Sequence, residues 1–120
     1  MSGLSSNSRR TNQEWLDELR GAQGFPRQEA AHHDLAHYLY IVAYNYLRQR
    51  QPGIAILGAL DLDEVAALAQ DFVQDALLKL AQEDWILLSK FRGEGAFTGW
   101  CARLLCNLIG QELRRSFWQR

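Results

Sequence analysis

Apolar residues recur at three- and four-residue spacing along almost the whole chain, and no segment alternates apolar and polar residues as a half-buried strand would. Without strands, the apolar faces can be buried only by packing helix on helix, so the class is all-α: a compact bundle of about four helices. Asn12 is a candidate N-cap for a short first helix carrying Trp15, Leu16 and Leu19. A long second helix is predicted over 27–50, with Ala31, Leu35, Tyr38, Leu39, Val42 and Tyr46 as its apolar stripe, stopped by Gln51-Pro52-Gly53. Residues 54–60 form an apolar connection suited to a buried turn or a short helical turn. Asp61 and Glu64 have capping-box spacing, and Val65, Leu68, Ala69, Phe72, Val73, Ala76, Leu77 and Leu80 continue a buried stripe to about Gln82. Trp85 to Leu88 can add a helical turn.

The segment KFRGEGAFTGWCARLLCNLIGQELRR, residues 90–115, carries the strongest functional signal. Gly93 and Gly95 allow a sharp turn at Phe91-Arg92-Gly93-Glu94-Gly95-Ala96. A fourth helix follows over about 96–115, with Phe97, Trp100, Cys101, Leu104, Leu105, Leu108, Ile109 and Leu113 as its apolar positions. Arg103, Asn107, Gln111 and Arg114 fall on another stripe. Arginines suit phosphates, and Asn and Gln suit base edges. Phe97 and Trp100 read as core rather than as strand-separating residues. Gly110 inside this helix implies either close packing or slack.

The overall net charge of −1 hides a segregation. Between Asp61 and Ser89 seven acids face a single base, Lys79, for a net of −6, whereas 90–120 carries six bases and two acids, a net of +4. Two partners of opposite character are implied. The length of 120 residues fits one domain, with 1–11 read as a mobile leader, 12–116 as the helical domain and 117–120 as a tail or the start of a linker. The leader lacks the apolar core of a secretory signal, and no apolar run can span a bilayer, so a cytoplasmic, membrane-free protein is expected. Cys101 and Cys106 lie about 140° apart around a helix and are expected to stay reduced.

Two motifs resemble the second conserved region of bacterial RNA polymerase sigma factors of the extracytoplasmic-function type. Residues 71–80, DFVQDALLKL, are similar to that family's D-x-V-Q-E helix, and residues 91–100, FRGEGAFTGW, to its F-R-G segment, with Arg103, Asn107 and the Arg114-Arg115 pair following in register. The likeness covers roughly 12–116, and Gly95, Gly99 and Gly110 depart from the family's pattern. It implies a domain of transcription initiation that binds without bond chemistry, hence no enzyme and no cofactor. Asp71, Gln74, Asp75 and Lys79 would dock on the clamp helices of the polymerase β′ subunit. Phe91, Arg92, Leu87, Leu104, Asn107 and Gln111 would capture a base flipped from the non-template strand of the promoter minus-ten element. Arg103, Arg114 and Arg115 would meet phosphates, with pairing to an internal carboxylate as the other option for Arg103. An anti-sigma factor is a further possible partner, and a monomer is expected. Such sigma factors also carry a second helical domain, so the chain is read as an excised domain or a reduced protein.

Two rival readings stand beside this one. His33 and His37, one turn apart and near His32, could share a metal in an enzyme, but no third ligand has useful spacing and no H-E-x-x-H, Walker loop or nucleophile elbow is present. Alternatively the chain is a helical interaction module, or a sigma-like regulator that binds no promoter; the acidic face fits that reading, but the reading gives no reason for the basic C-terminal helix.

Overall fold

Side chains answer the unpaired backbone groups at the starts of three of the four long helices among the described residues, and the core follows from how those ends are tied together. The computed structural model describes residues 10–120. Among them are four long helices and one short one, with no strands: α1 (Asn12–Leu19), α2 (Phe25–Arg50), α3 (Ala55–Gly58), α4 (Leu62–Trp85) and α5 (Phe97–Leu113). The protein is an all-α bundle in which α2 packs against α1, α4 and α5. No helix is long and apolar enough to cross a membrane among the described residues.

The cap of α1 is Thr11 rather than the expected Asn12. The Thr11 hydroxyl accepts from the Glu14 N–H at 3.1 Å, and the Glu14 carboxylate accepts from the Thr11 N–H at 2.8 Å, a reciprocal capping box. Asn12 is thereby free to serve a different helix. Its Oδ1 accepts from the Phe97 N–H at 2.9 Å and its Nδ2 donates to the Gly95 carbonyl at 2.9 Å. Ala96, at the cap position of α5, has no side chain for that task, so Asn12 supplies the cap from the other end of the chain.

Of the leader expected over 1–11, residues 1–9 lie outside the described residues, and Arg10 and Thr11 belong to the fold. The Arg10 guanidinium bonds Glu18 of α1 at 3.0 Å and Asp34 of α2 at 2.8 Å, and lies 4.6 Å from the Trp15 ring centroid. The other boundary moves as well: Trp118 is buried in the core, and its indole N–H donates to Glu112 at 2.8 Å, so the packed unit runs past 116.

On α2 the fully buried residues are Ala31, Leu35, Leu39, Ala43 and Leu47, every fourth position. Tyr38, Val42 and Tyr46, expected on the stripe, are half-buried flanks. A four-residue step advances about 40° around a helix, so this seam winds. It does so because α1 covers the beginning of α2, through Arg10–Asp34, while α5 lies against its end, where Tyr46 faces Gly110.

The connection at 54–60 contains the short helix α3, which buries Leu57. The Gln51 amide ties it down by donating to the carbonyls of Leu57 and Leu60 at 3.0 and 3.2 Å. Glycine is required at Gly58, where a Cβ would stand 2.7 Å from the Gln51 carbonyl oxygen. The Asp61–Glu64 capping box opens α4, and all the expected core positions on that helix are buried except Leu68, which is half-buried. Its end is irregular: Gln82 is extended, and Glu83, Asp84 and Trp85 take left-handed conformations with φ of 50, 57 and 64°. Each costs roughly 1–2 kcal/mol for a residue with a Cβ. A 3₁₀ turn, Ile86–Lys90, then leads into the glycine loop, where Gly93 and Gly95 have φ of 79 and 76° as expected.

Candidate nucleic-acid interface and docking face

The exposed side of α4 lies opposite its buried stripe. Asp71, Gln74, Asp75 and Lys79 are all exposed, and between them Leu78 is 64% exposed. An exposed apolar side chain within a polar patch makes Leu78 a candidate anchor for a protein partner. Asp71 and Asp75 also form one wall of a shallow cleft of about 260 Å³ whose other lining includes Phe72, Glu112 and Trp118.

On α5 the exposed residues Arg103, Asn107, Gln111 and Arg114 lie on one side with half-buried Trp100 and Leu104, all within about 60° of one line along the helix. The internal partner considered for Arg103 does not exist among the described residues. No described carboxylate lies within ion-pair distance of Arg103 or Arg114, whereas Arg115 pairs with Glu112 at 3.0 Å. Phe91 is half-buried, its ring edge-on to Phe97 at 5.5 Å and tilted against Trp100 at 5.6 Å, while Arg92 beside it is exposed. The loop is thus anchored at the Trp100 end of the stripe. Trp100 and Gln111 are separated by about 16 Å of helix rise, so Phe91, Arg92, Leu104, Asn107 and Gln111 form a track with Phe91 at one end and Gln111 at the other. Leu87 stands apart from it, in a cleft of about 390 Å³ shared with Lys79, Gln82, Glu83, Ile86, Ser89 and Lys90.

The two faces adjoin. A cleft of about 280 Å³ between α4 and α5 is lined by Asp75 from one face and Gln111 and Arg115 from the other, with Phe72, Leu108 and Glu112. Glu112 is held below its ordinary carboxylate pKa by the Trp118 hydrogen bond and, against the opposing effect of burial, by Arg115. A depressed folded-state pKa contributes stability that is present above the unfolded pKa and lost as pH falls through the folded one. Acidification from neutral pH to below the ordinary Glu range is therefore expected to weaken the hydrogen bond that Glu112 accepts from Trp118. The Trp118 indole N–H resonance should report a single titration step that disappears in Glu112→Gln; persistence of the step in that variant would assign it elsewhere.

Gly110 marks close packing rather than slack: a Cβ there would meet the Tyr46 hydroxyl oxygen at 3.3 Å and Arg114 Nη1 at 3.6 Å. This contact brings the end of α2 to the basic side of α5, which sequence spacing did not reveal. Burial pushes the Cys101 thiol up to about 12, and burial also raises half-buried Cys106, with Arg50 pulling the other way. Both cysteines are free. His33 and His37 line a separate cleft with Ala36, Tyr40 and Gln70, and no group of three or more metal-ligating side chains occurs among the described residues.

The fold and these two faces define the class as an all-α bundle with an acidic, apolar-centred helix beside a basic one. Comparison of the chain with protein-family models, curated proteins and solved structures returns no match.

Proposed function

We propose that this chain is a transcription-initiation domain of the sigma region 2 kind, which docks on the β′ clamp helices of RNA polymerase through α4 and engages the non-template strand of the promoter minus-ten element through α5. The observation that supports this reading best is the pairing of opposite faces on adjoining helices. Asp71, Gln74, Asp75 and Lys79 stand around exposed Leu78, while Arg103, Asn107, Gln111 and Arg114 stand on the neighbouring helix. Arginines left without carboxylates are available to phosphates. Asn107 can donate to and accept from the edge of an unstacked base, and half-buried Trp100 and Leu104 flank the track. Melting would then proceed by population shift, because the open strand gains contacts that the duplex cannot make.

Two measurements test it. A single-stranded minus-ten oligonucleotide should bind more tightly than a scrambled one, and Asn107→Ala should reduce that preference roughly tenfold, the loss of one good base contact. Equal binding of both sequences by the unaltered protein would remove promoter recognition and leave the interaction-module reading. Capture on immobilised β′ clamp helices should be lost in Gln74→Ala and Asp75→Ala; undiminished capture would overturn the docking face.

A further inference from the structure

The end of α2 carries Arg48 and Arg50, and neither has a described carboxylate within ion-pair distance. Cations in a last helical turn complement the helix dipole, which accounts for their charge but not for their placement. Arg48 reaches the Tyr44 hydroxyl at 3.5 Å along its own helix. Arg50 instead lies on Tyr46, its guanidinium carbon 3.7 Å from the ring centroid, and its charge is felt by Cys106 of α5. A stacked guanidinium keeps its in-plane N–H donors free. The other end of the same tyrosine meets α5: the Tyr46 hydroxyl oxygen and Arg114 Nη1 both lie within 3.6 Å of the point where a Gly110 Cβ would stand. Two guanidiniums without a described carboxylate in ion-pair distance therefore stand toward opposite ends of one tyrosine, Arg50 on its ring face and Arg114 beside the Gly110 position that its hydroxyl meets.

We infer that this seam is a phosphate-binding station, at which Arg50 and Arg114, with the Tyr46 hydroxyl, take one backbone phosphate of the polynucleotide that runs along the Arg103–Asn107–Gln111 stripe. The inference rests on the proposed reading of α5 and extends it onto α2. Phosphate contacts fix the position of a strand without reading its sequence, so this station would set the register in which Asn107 and Gln111 meet bases.

The test is the salt dependence of oligonucleotide binding by the full chain, followed by fluorescence anisotropy with matched and scrambled single strands. Arg50→Ala should weaken both by the same factor, about 3- to 10-fold, and lower the slope of log K against log salt by about 0.7, the value for one phosphate contact on a single strand. Arg27, about 35 Å away along α2 and 65% exposed at its side chain, provides a variant of equal charge change, and Arg27→Ala should alter neither quantity. Arg50→Lys should retain the slope and lose part of the affinity, since the charge stays and the planar fork goes. Because Arg50 is exposed, these variants should keep the wild-type circular dichroism spectrum. An unchanged slope in Arg50→Ala, or an equal loss in Arg27→Ala, would overturn the station. Failure of the promoter reading looks different: matched and scrambled strands would then bind the unaltered protein equally, and the slopes of the Arg50 variants would still be readable.

Discussion

Arg10→Met is expected to lower the unfolding free energy by about 3–5 kcal/mol, the usual consequence of removing one partner from a buried ion pair. The Glu18 side chain is 7% exposed and Arg10 is 10% exposed, so neither charge is well hydrated in the folded protein. Without Arg10, the cation left to Glu18 among the described residues is Arg27, 3.8 Å away on a side chain that is 65% exposed. Asp34 would lose its 2.8 Å partner at the same time. Arg10 is also the cation over Trp15, so the substitution loosens α1 from α2 at three points. For Arg10 itself, burial disfavours the charge, but the hydrogen bonds to Asp34 and Glu18 more than reverse this and hold its pKa above the ordinary value. The pair therefore persists throughout the alkaline range in which the fold can be studied. Urea unfolding provides the measurement. Arg27→Ala should cost less than about 1 kcal/mol because that pair is solvated, and Arg10→Met with Glu18→Leu should recover most of the loss. A cost for Arg10→Met no larger than for Arg27→Ala would show that the network contributes nothing.

The features that could be read from the sequence are those whose causes lie within a turn or two of helix. The stripe of α4, its Asp61–Glu64 cap and the two-glycine turn are local, and each is found where the sequence reading puts it. Asn12 is the contrary case. It has the right chemistry for a cap, but the N–H it satisfies belongs to Phe97, 85 residues away, and the nearby Thr11–Glu14 pair does the local work. The burial of Ala43 and Leu47 in place of Val42 and Tyr46 has a similar origin, because α2 meets different neighbours along its length and no single stripe describes it. The stripe of α4 ends near Gln82, where regular helix does give way, but the left-handed conformation of Glu83, Asp84 and Trp85 carries no glycine to announce it.

The same division holds for the site. The Arg103–Asn107–Gln111–Arg114 stripe is a property of one helix and follows from spacing. Leu78 could have been singled out by the same means: it is an apolar residue off the buried stripe of α4, and its exposure of 64% gives the polar side of that helix an apolar centre. Arg50 could not, since only the packing of Tyr46 against Gly110 brings it to α5. Departures from regular local rules also gather near the candidate surfaces. Left-handed Glu83 shares the Lys79–Leu87 cleft, and Gly110, unfavourable by about 1 kcal/mol against alanine in a helix, sits where Tyr46 needs the space. Residues that break a local rule without an evident core role are the ones to expect at functional surfaces.

Phe97→Ala is expected to cost about 3–5 kcal/mol, a large share of the 5–15 kcal/mol typical of a single domain. Phe97 is fully buried and stands in contact with three other rings: Trp15 of α1 at 5.9 Å, Phe91 of the glycine loop at 5.5 Å and Trp100 of α5 at 5.9 Å. Its backbone N–H is also the one that Asn12 caps, which fixes the ring at the point where α1, the loop and α5 meet. The substitution opens a cavity bounded by rigid rings, which cannot collapse onto it as flexible aliphatic chains would. The effect should reach beyond stability. Phe91 leans edge-on against Phe97, so the loop that carries Arg92 loses one of its two anchoring rings and keeps only Trp100. Oligonucleotide binding measured well below the unfolding midpoint should therefore weaken in Phe97→Ala even in the fraction that remains folded, whereas Phe117→Ala, at a ring 48% exposed, should change neither stability nor binding by more than about 0.5 kcal/mol. Phe97→Leu separates the two effects: it restores most of the buried volume without the edge-on ring contact, so it should regain stability and still bind less tightly. Full recovery of both in Phe97→Leu would mean that the loop is held by the backbone geometry at Gly93 and Gly95, with no contribution from ring packing.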